Sequence, residues 1–189
     1  MRYPASHKTE TRSKLLASSR ALAKQGGFEA TGVDALMAAV GLSGGAFYSH
    51  FDSKQALFEA LVEEELRNSK LMLDGDAQAP AEQVAKRLRG YLSSAHALNP
   101  QDGCALPTLG AEMARASPEL RAKVEQQLKS TQQGWSQRLG DDDSAWALLA
   151  QCVGALMLAR VVHSDKTRKE ILAASRRQVD KIQQHDPAR

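Results

Sequence analysis

The chain's apolar content comes mainly from Ala and Leu. Only two isoleucines occur, Ile171 and Ile182, and no run alternates apolar and polar residues as a half-buried strand does. Ala and Leu favour helix, whereas β-branched and aromatic residues favour strands, and aromatics here are only 5%. A β-rich fold is thereby excluded, and an all-α fold is expected. Apolar residues make up 42% of the 189, enough to bury a real core. At 25% charged, the chain does not have the composition of a disordered polymer.

Local punctuation cuts the sequence into about nine helices. The first spans 9–24, with Leu15, Leu16 and Leu22 on one side, and Gly26-Gly27 ends it. Thr31 can cap a second helix to Val40, with Asp34 completing a box-like arrangement, and Gly41 then forces a turn. Ser43 can cap a third short helix through Ser49. Asp52 or Ser53 opens a fourth, in which Phe58, Val62 and Leu66 recur every four residues to about Leu73. Residues 74–80 form a polar connector, the most boundary-like stretch by composition. Further helices are expected over 82–97, 104–115, from Ser117-Pro118-Glu119 to Leu139, over 145–163 and from Asp165 to Ile182.

Net charge is +3, but its distribution says more than its sum. Residues 1–24 hold six cations, including Lys8, Arg12 and Lys24, against Glu10 alone; residues 25–80 hold nine acids against Lys54, Arg67 and Lys70. A basic start suits a polyanion, and a solvated amphipathic helix explains the same pattern. Cys104 and Cys152 lie far apart without metal-ligand spacing, so no metal site is expected, and two lone thiols suit a reducing cytoplasm. The first residues lack the apolar core of a secretory signal. The longest apolar stretch, 145–162, is interrupted by Gln151 and Arg160 and reads as a buried helix, not as a membrane span.

Residues 31–54 carry the functional signal. Two short helices meet at Gly41-Leu42-Ser43, with a small bend residue, an apolar corner and a cap; Leu36, Val40, Leu42 and Phe47 can form a miniature core. This is helix-turn-helix grammar, in which the second helix presents its amino end to the major groove of DNA. The run from Gly41 to Phe51, followed by Ser53-Lys54-Gln55-Ala56-Leu57-Phe58, resembles the N-terminal domain of TetR/AcrR-family transcriptional regulators over roughly residues 9–62. The resemblance implies phosphate contacts from Thr31, Ser43, His50 and Lys54, and a Tyr48 hydroxyl on the DNA backbone. It places Gly44, Gly45 and Ser49 toward the groove, and Lys8 and Arg12 within reach from the arm. Tyr48 packing alone, or Lys54 simply starting a helix, fits the same residues. Many family members carry a long polar side chain at the position of Gly44. Without it, backbone approach and DNA shape are expected to supply much of the selectivity.

The resemblance further implies a head over 1–52 and an effector-binding, dimerising body over 53–189. The dimer would pair helices about 144–163 and 166–184 of two copies on operator DNA. A small hydrophobic effector would be lined by Leu88, Tyr91, Leu92, His96, Leu109, Met113, Leu128 and Trp135, although each fits a plain core equally well. Cys104 would open a helix that lowers its thiol pKa, which makes it a candidate sensor of electrophiles or oxidants beside the reading of an inert thiol. Neither a phosphate-binding glycine loop nor a His-Glu-x-x-His occurs. Gly41-Leu-Ser-Gly-Gly matches a nucleophile elbow in letters only, since that elbow needs a preceding strand. No enzyme and no cofactor are expected. A repressor released by its effector is the leading expectation, and a non-specific structural DNA-binding protein the alternative from another class.

Overall fold

The computed structural model describes residues 5–184, with side chains described over 9–183. Their order is α1 (Ala5–Gly26), α2 (Val33–Ala38), a 3-10 segment (Gly44–Ser49), α3 (Lys54–Leu73), α4 (Ala81–Tyr91) and α5 (Ser94–Leu98). A 3-10 turn (Pro100–Asp102), α6 (Leu106–Ala114), α7 (Pro118–Leu139), α8 (Asp142–Val161) and α9 (Asp165–Gln184) follow. Among the described residues no strand occurs, and the fold is all-α.

Several ends follow from local chemistry. Ser53 accepts from the Ala56 N–H, Ser117 from that of Leu120 and Asp141 from that of Ser144, each filling a donor left open at a helix start. Gly27 ends α1 at φ +85° and Gly140 ends α7 at φ +70°, the left-handed conformation that glycine adopts without cost.

Three elements differ from the expectation. The helix expected over 43–49 is a 3-10 segment, closed by short-range bonds such as His50 N–H to the Phe47 carbonyl at 2.9 Å; Gly44-Gly45 is too poor a helix former to hold an α-turn. The helix expected over 82–97 breaks after Tyr91, where the Ser93 hydroxyl takes the His96 N–H and opens a new helix. The helix expected at 104 starts at Leu106. The N–H groups of Cys104 and Ala105 are already held, by His96 Nε2 at 2.9 Å and Ser69 Oγ at 3.2 Å. The Thr31–Asp34 capping box is also absent. Gly32 occupies the cap position of α2 without a side-chain bond, and the Thr31 hydroxyl donates back to the Gly27 carbonyl at 2.8 Å.

Two apolar cores result. One gathers Leu15, Phe28, Leu36, Phe47 and Phe51 around Leu57, Phe58, Leu61 and Val62 of α3, with Leu109 and Leu120 from beyond. The other gathers Leu73, Leu88, Leu92, Trp135 and the inner face of α8 with Leu172 and Val179 of α9. Helix α3 contributes to both. Helix α8 is long and apolar enough to cross a membrane by composition, yet it packs between α7 and α9. Its burial is one-sided: Trp146, Met157, Leu158 and Val161 stay exposed, Val161 at 72%.

Candidate nucleic-acid interface and effector region

The head's corner turns at Gly41, whose φ of +72° an L side chain rarely adopts. Leu36, Met37, Phe47 and Phe51 are buried beneath it. This floor aims the 3-10 segment outward. Ser43, Gly45, Tyr48 and Ser49 are exposed on it, and Tyr48 stands 68% exposed with its ring edge-on to Phe47 at 5.3 Å. The Ser49 hydroxyl donates to the Ala46 carbonyl at 2.7 Å, which fixes its rotamer and leaves its lone pairs outward. Gly44 is half-buried: a Cβ there would lie 1.9 Å from Asp34 Oδ1. The Asp34 carboxylate thus occupies the space that a longer residue at 44 would need. Sequence reading offered Asp34 only as a cap and gave no signal of this contact.

The remaining expected contacts are more constrained. Lys54 Nζ donates to the Glu29 carbonyl at 2.9 Å, lies 4.0 Å from the Glu29 carboxylate and 5.1 Å over the Phe28 ring. Thr31 is half-buried against the same 27–31 loop. Arg12 is exposed, with its guanidinium 4.5 Å over the Phe51 ring. His50 is half-buried just past the 3-10 segment. The Lys8 side chain lies outside the described residues.

Residues expected to line one pocket fall into four places. Tyr91 and His96 border a cavity of about 290 Å³ with Met72, Arg87 and Gly90. Met113 and Leu128 border a groove of about 710 Å³ between α6 and α7, which Trp146 of α8 also lines. Leu88, Leu92 and Trp135 are packed in the body core and Leu109 in the head core. Trp135 also donates through Nε1 to the Leu73 carbonyl at 2.6 Å.

Cys104 is buried, with Ser69 and Tyr91 beside its thiol. Burial pushes its pKa up, the opposite of the lowering expected from a helix amino end, because α6 begins two residues later. Burial also pushes Cys152 up, to about 12. His96 Nε2 accepts the Cys104 N–H, so Nδ1 carries the proton and donates to the Tyr91 carbonyl at 2.7 Å. The imidazole is held neutral, and burial lowers its pKa. One residue earlier, the Gly103 carbonyl accepts from Lys24 Nζ at 2.9 Å, and the same buried ammonium pairs with Glu65 at 2.9 Å. Head helix α1, helix α3 and the strap 99–105 are tied at this point. Among the described residues, no group of His, Cys, Asp and Glu is arranged to hold a metal ion.

An exposed, glycine-led segment on a compact three-element head, carried by a helical body, defines a helix-turn-helix DNA-binding protein. Residues 15–61, the head and the first part of α3, match the family model of bacterial regulatory proteins of the tetR family. A TetR-family regulator from Cytophaga hutchinsonii superposes with a TM-score of 0.75 at 18% identity, covering 97% of this chain and all of that one (100%). The reduced form of E. coli NemR gives 0.74 at 23% identity, over 92% and 97% of the two chains. A TetR regulator from Chloroflexus aurantiacus gives 0.72 at 22%, over 93% and 96%. At such identities the likeness is one of fold. No curated protein matches the chain.

Proposed function

We propose that this chain is a TetR-family transcriptional regulator, a cytoplasmic homodimeric repressor that binds an operator through two heads and is released by a small effector in the body. The observation that carries the DNA contact is Tyr48, largely exposed on a segment whose neighbours Phe47 and Phe51 are buried. An aromatic hydroxyl held outward beside the open backbone of Gly45 suits a phosphate and a close groove approach. Ser43, Gly44, Ser49, Thr31, His50, Lys54 and the arm residues Lys8 and Arg12 complete the interface. For Lys54, reaching a phosphate means leaving the Glu29 carbonyl, so part of its attraction offsets a bond already made.

The dimer is supported by the exposed apolar side of α8. Trp146, Ala150, Met157 and Val161 recur at helical spacing, and a lone chain would leave that stripe in water. Two heads on successive major-groove faces, about 34–36 Å apart, multiply a contact that one short segment makes weakly.

The test is retention of DNA from upstream of the gene in a gel, at fixed salt, against random DNA of equal length. Tyr48→Ala and Lys54→Ala are expected to weaken upstream retention about tenfold each, with helicity unchanged. Equal retention of both DNAs would instead favour a structural DNA-binding protein. Wild-type retention by both variants would remove the segment from the interface.

A further inference from the structure

Arg160 is the only charged residue between 144 and 162, and α8 carries it into a half-buried position beside Tyr91, His96 and Cys104. Its Nη1 donates to the Thr108 hydroxyl, and Nη2 reaches the His96 carbonyl only at 3.4 Å. Nε is buried with no hydrogen-bond partner. Among the described residues no carboxylate pairs with it; its neighbours Cys104 and Tyr91 are a thiol and a phenol that burial keeps neutral. A desolvated guanidinium without a counter-charge is costly, and its Nε–Nη2 edge is the one that receives a carboxylate side-on. The Tyr91 hydroxyl, in a residue 4% exposed, lies beside the weakly bonding Cys104 thiol and has no oxygen or nitrogen partner.

The cavity of about 290 Å³ shares Tyr91 and His96 with this cluster. Met72 and Gly90 make its wall apolar, no acid lines it, and Arg87 adds a second guanidinium, which donates to the Asp74 carbonyl. We propose that Arg160 and Tyr91 form the polar end of a site for a small carboxylate with an apolar body. The carboxylate takes the Nε–Nη2 edge and the Tyr91 hydroxyl, and the body fills the cavity against Met72 and Gly90.

Taken with the effector reading above, on which this step rests, the site has a route to the head. A carboxylate on that edge competes with the His96 carbonyl for Nη2. Gly103 packs so closely there that an added Cβ would lie 2.5 Å from the His96 ring and 2.8 Å from Arg160 Nη2. A shift of either side chain therefore moves the strap, whose Gly103 carbonyl is bonded to Lys24 of α1.

Sodium benzoate is the probe and benzyl alcohol its neutral counterpart, titrated calorimetrically into the full chain at matched ionic strength. Benzoate is expected to bind and benzyl alcohol not. Arg160→Gln and Tyr91→Phe should each weaken benzoate by about tenfold or more. Should Arg160→Gln fail to fold, Arg160→Lys keeps the charge, loses the planar edge and should weaken binding as well. No benzoate binding at millimolar concentration, equal binding of the alcohol, or undiminished binding by Tyr91→Phe and Arg160→Lys overturns the site. Benzoate binding through Arg160 with unchanged DNA retention leaves the site standing and removes the release reading instead.

Discussion

At the residue scale, partners decide more than residue type. Cys104 follows Asp102-Gly103 and precedes a helix, a context that lowers a thiol pKa. Two residues of extra strap and complete burial reverse the direction. The same strap makes His96 a pH-sensitive joint. Its Nε2 must stay unprotonated to accept the Cys104 N–H, and burial holds its folded-state pKa below the ordinary value near 6.5. The unfolded chain therefore takes up the proton more readily. His96 contributes stability that is full above about pH 6.5 and is lost as pH falls through the lower folded-state value. Urea midpoints should drop between about pH 7.5 and about pH 5, and His96→Gln should flatten that dependence. An equal slope in the variant would place the sensitivity elsewhere.

At the element scale, the head depends on one corner. Gly41 sits at φ +72° with open space where a Cβ would go, so Gly41→Ala tests backbone strain without a clash. The expected loss is about 1–2 kcal/mol, read from chemical denaturation. A neutral result would show that the corner relaxes into another conformation. Such local features are legible in the sequence: Ser53 and Ser117 cap as their spacing suggests, and glycines close α1 and α7. The break after Tyr91 and the late start of α6 are not legible. Long-range partners set the second of these, since Ala105 meets Ser69 across 36 positions. The Asp34 contact at Gly44 is hidden for the same reason, because it joins two elements that only the folded corner brings together. The exposure of Tyr48 and Ser49 beside buried Phe47 agrees with the motif; the tethers of Lys54 to Glu29 and of Thr31 to Gly27 were not legible.

At the scale of the whole molecule, α8 was expected to be a buried helix, and the single chain leaves one side of it open. If that side is the dimer seam, Met157→Glu with Leu158→Lys should yield monomers in sedimentation without loss of helicity. Retention of operator DNA should fall steeply, because two weak heads no longer act together. Dimers that survive both substitutions would move the seam off α8.

The join between head and body also sets how movement can pass between them. Trp135 grips the carboxyl end of α3 through the Leu73 carbonyl, and Gly75 lies so near the indole that an added Cβ would come within 2.5 Å. That end is pinned to α7, and the other end of the rod is built into the head core. A 20-residue helix is about 30 Å long, so a tilt of about 4° sweeps its free end through about 2 Å. In the dimer proposed above, a displacement too small to see at Trp135 would be enough to throw two heads out of step with the pitch of DNA.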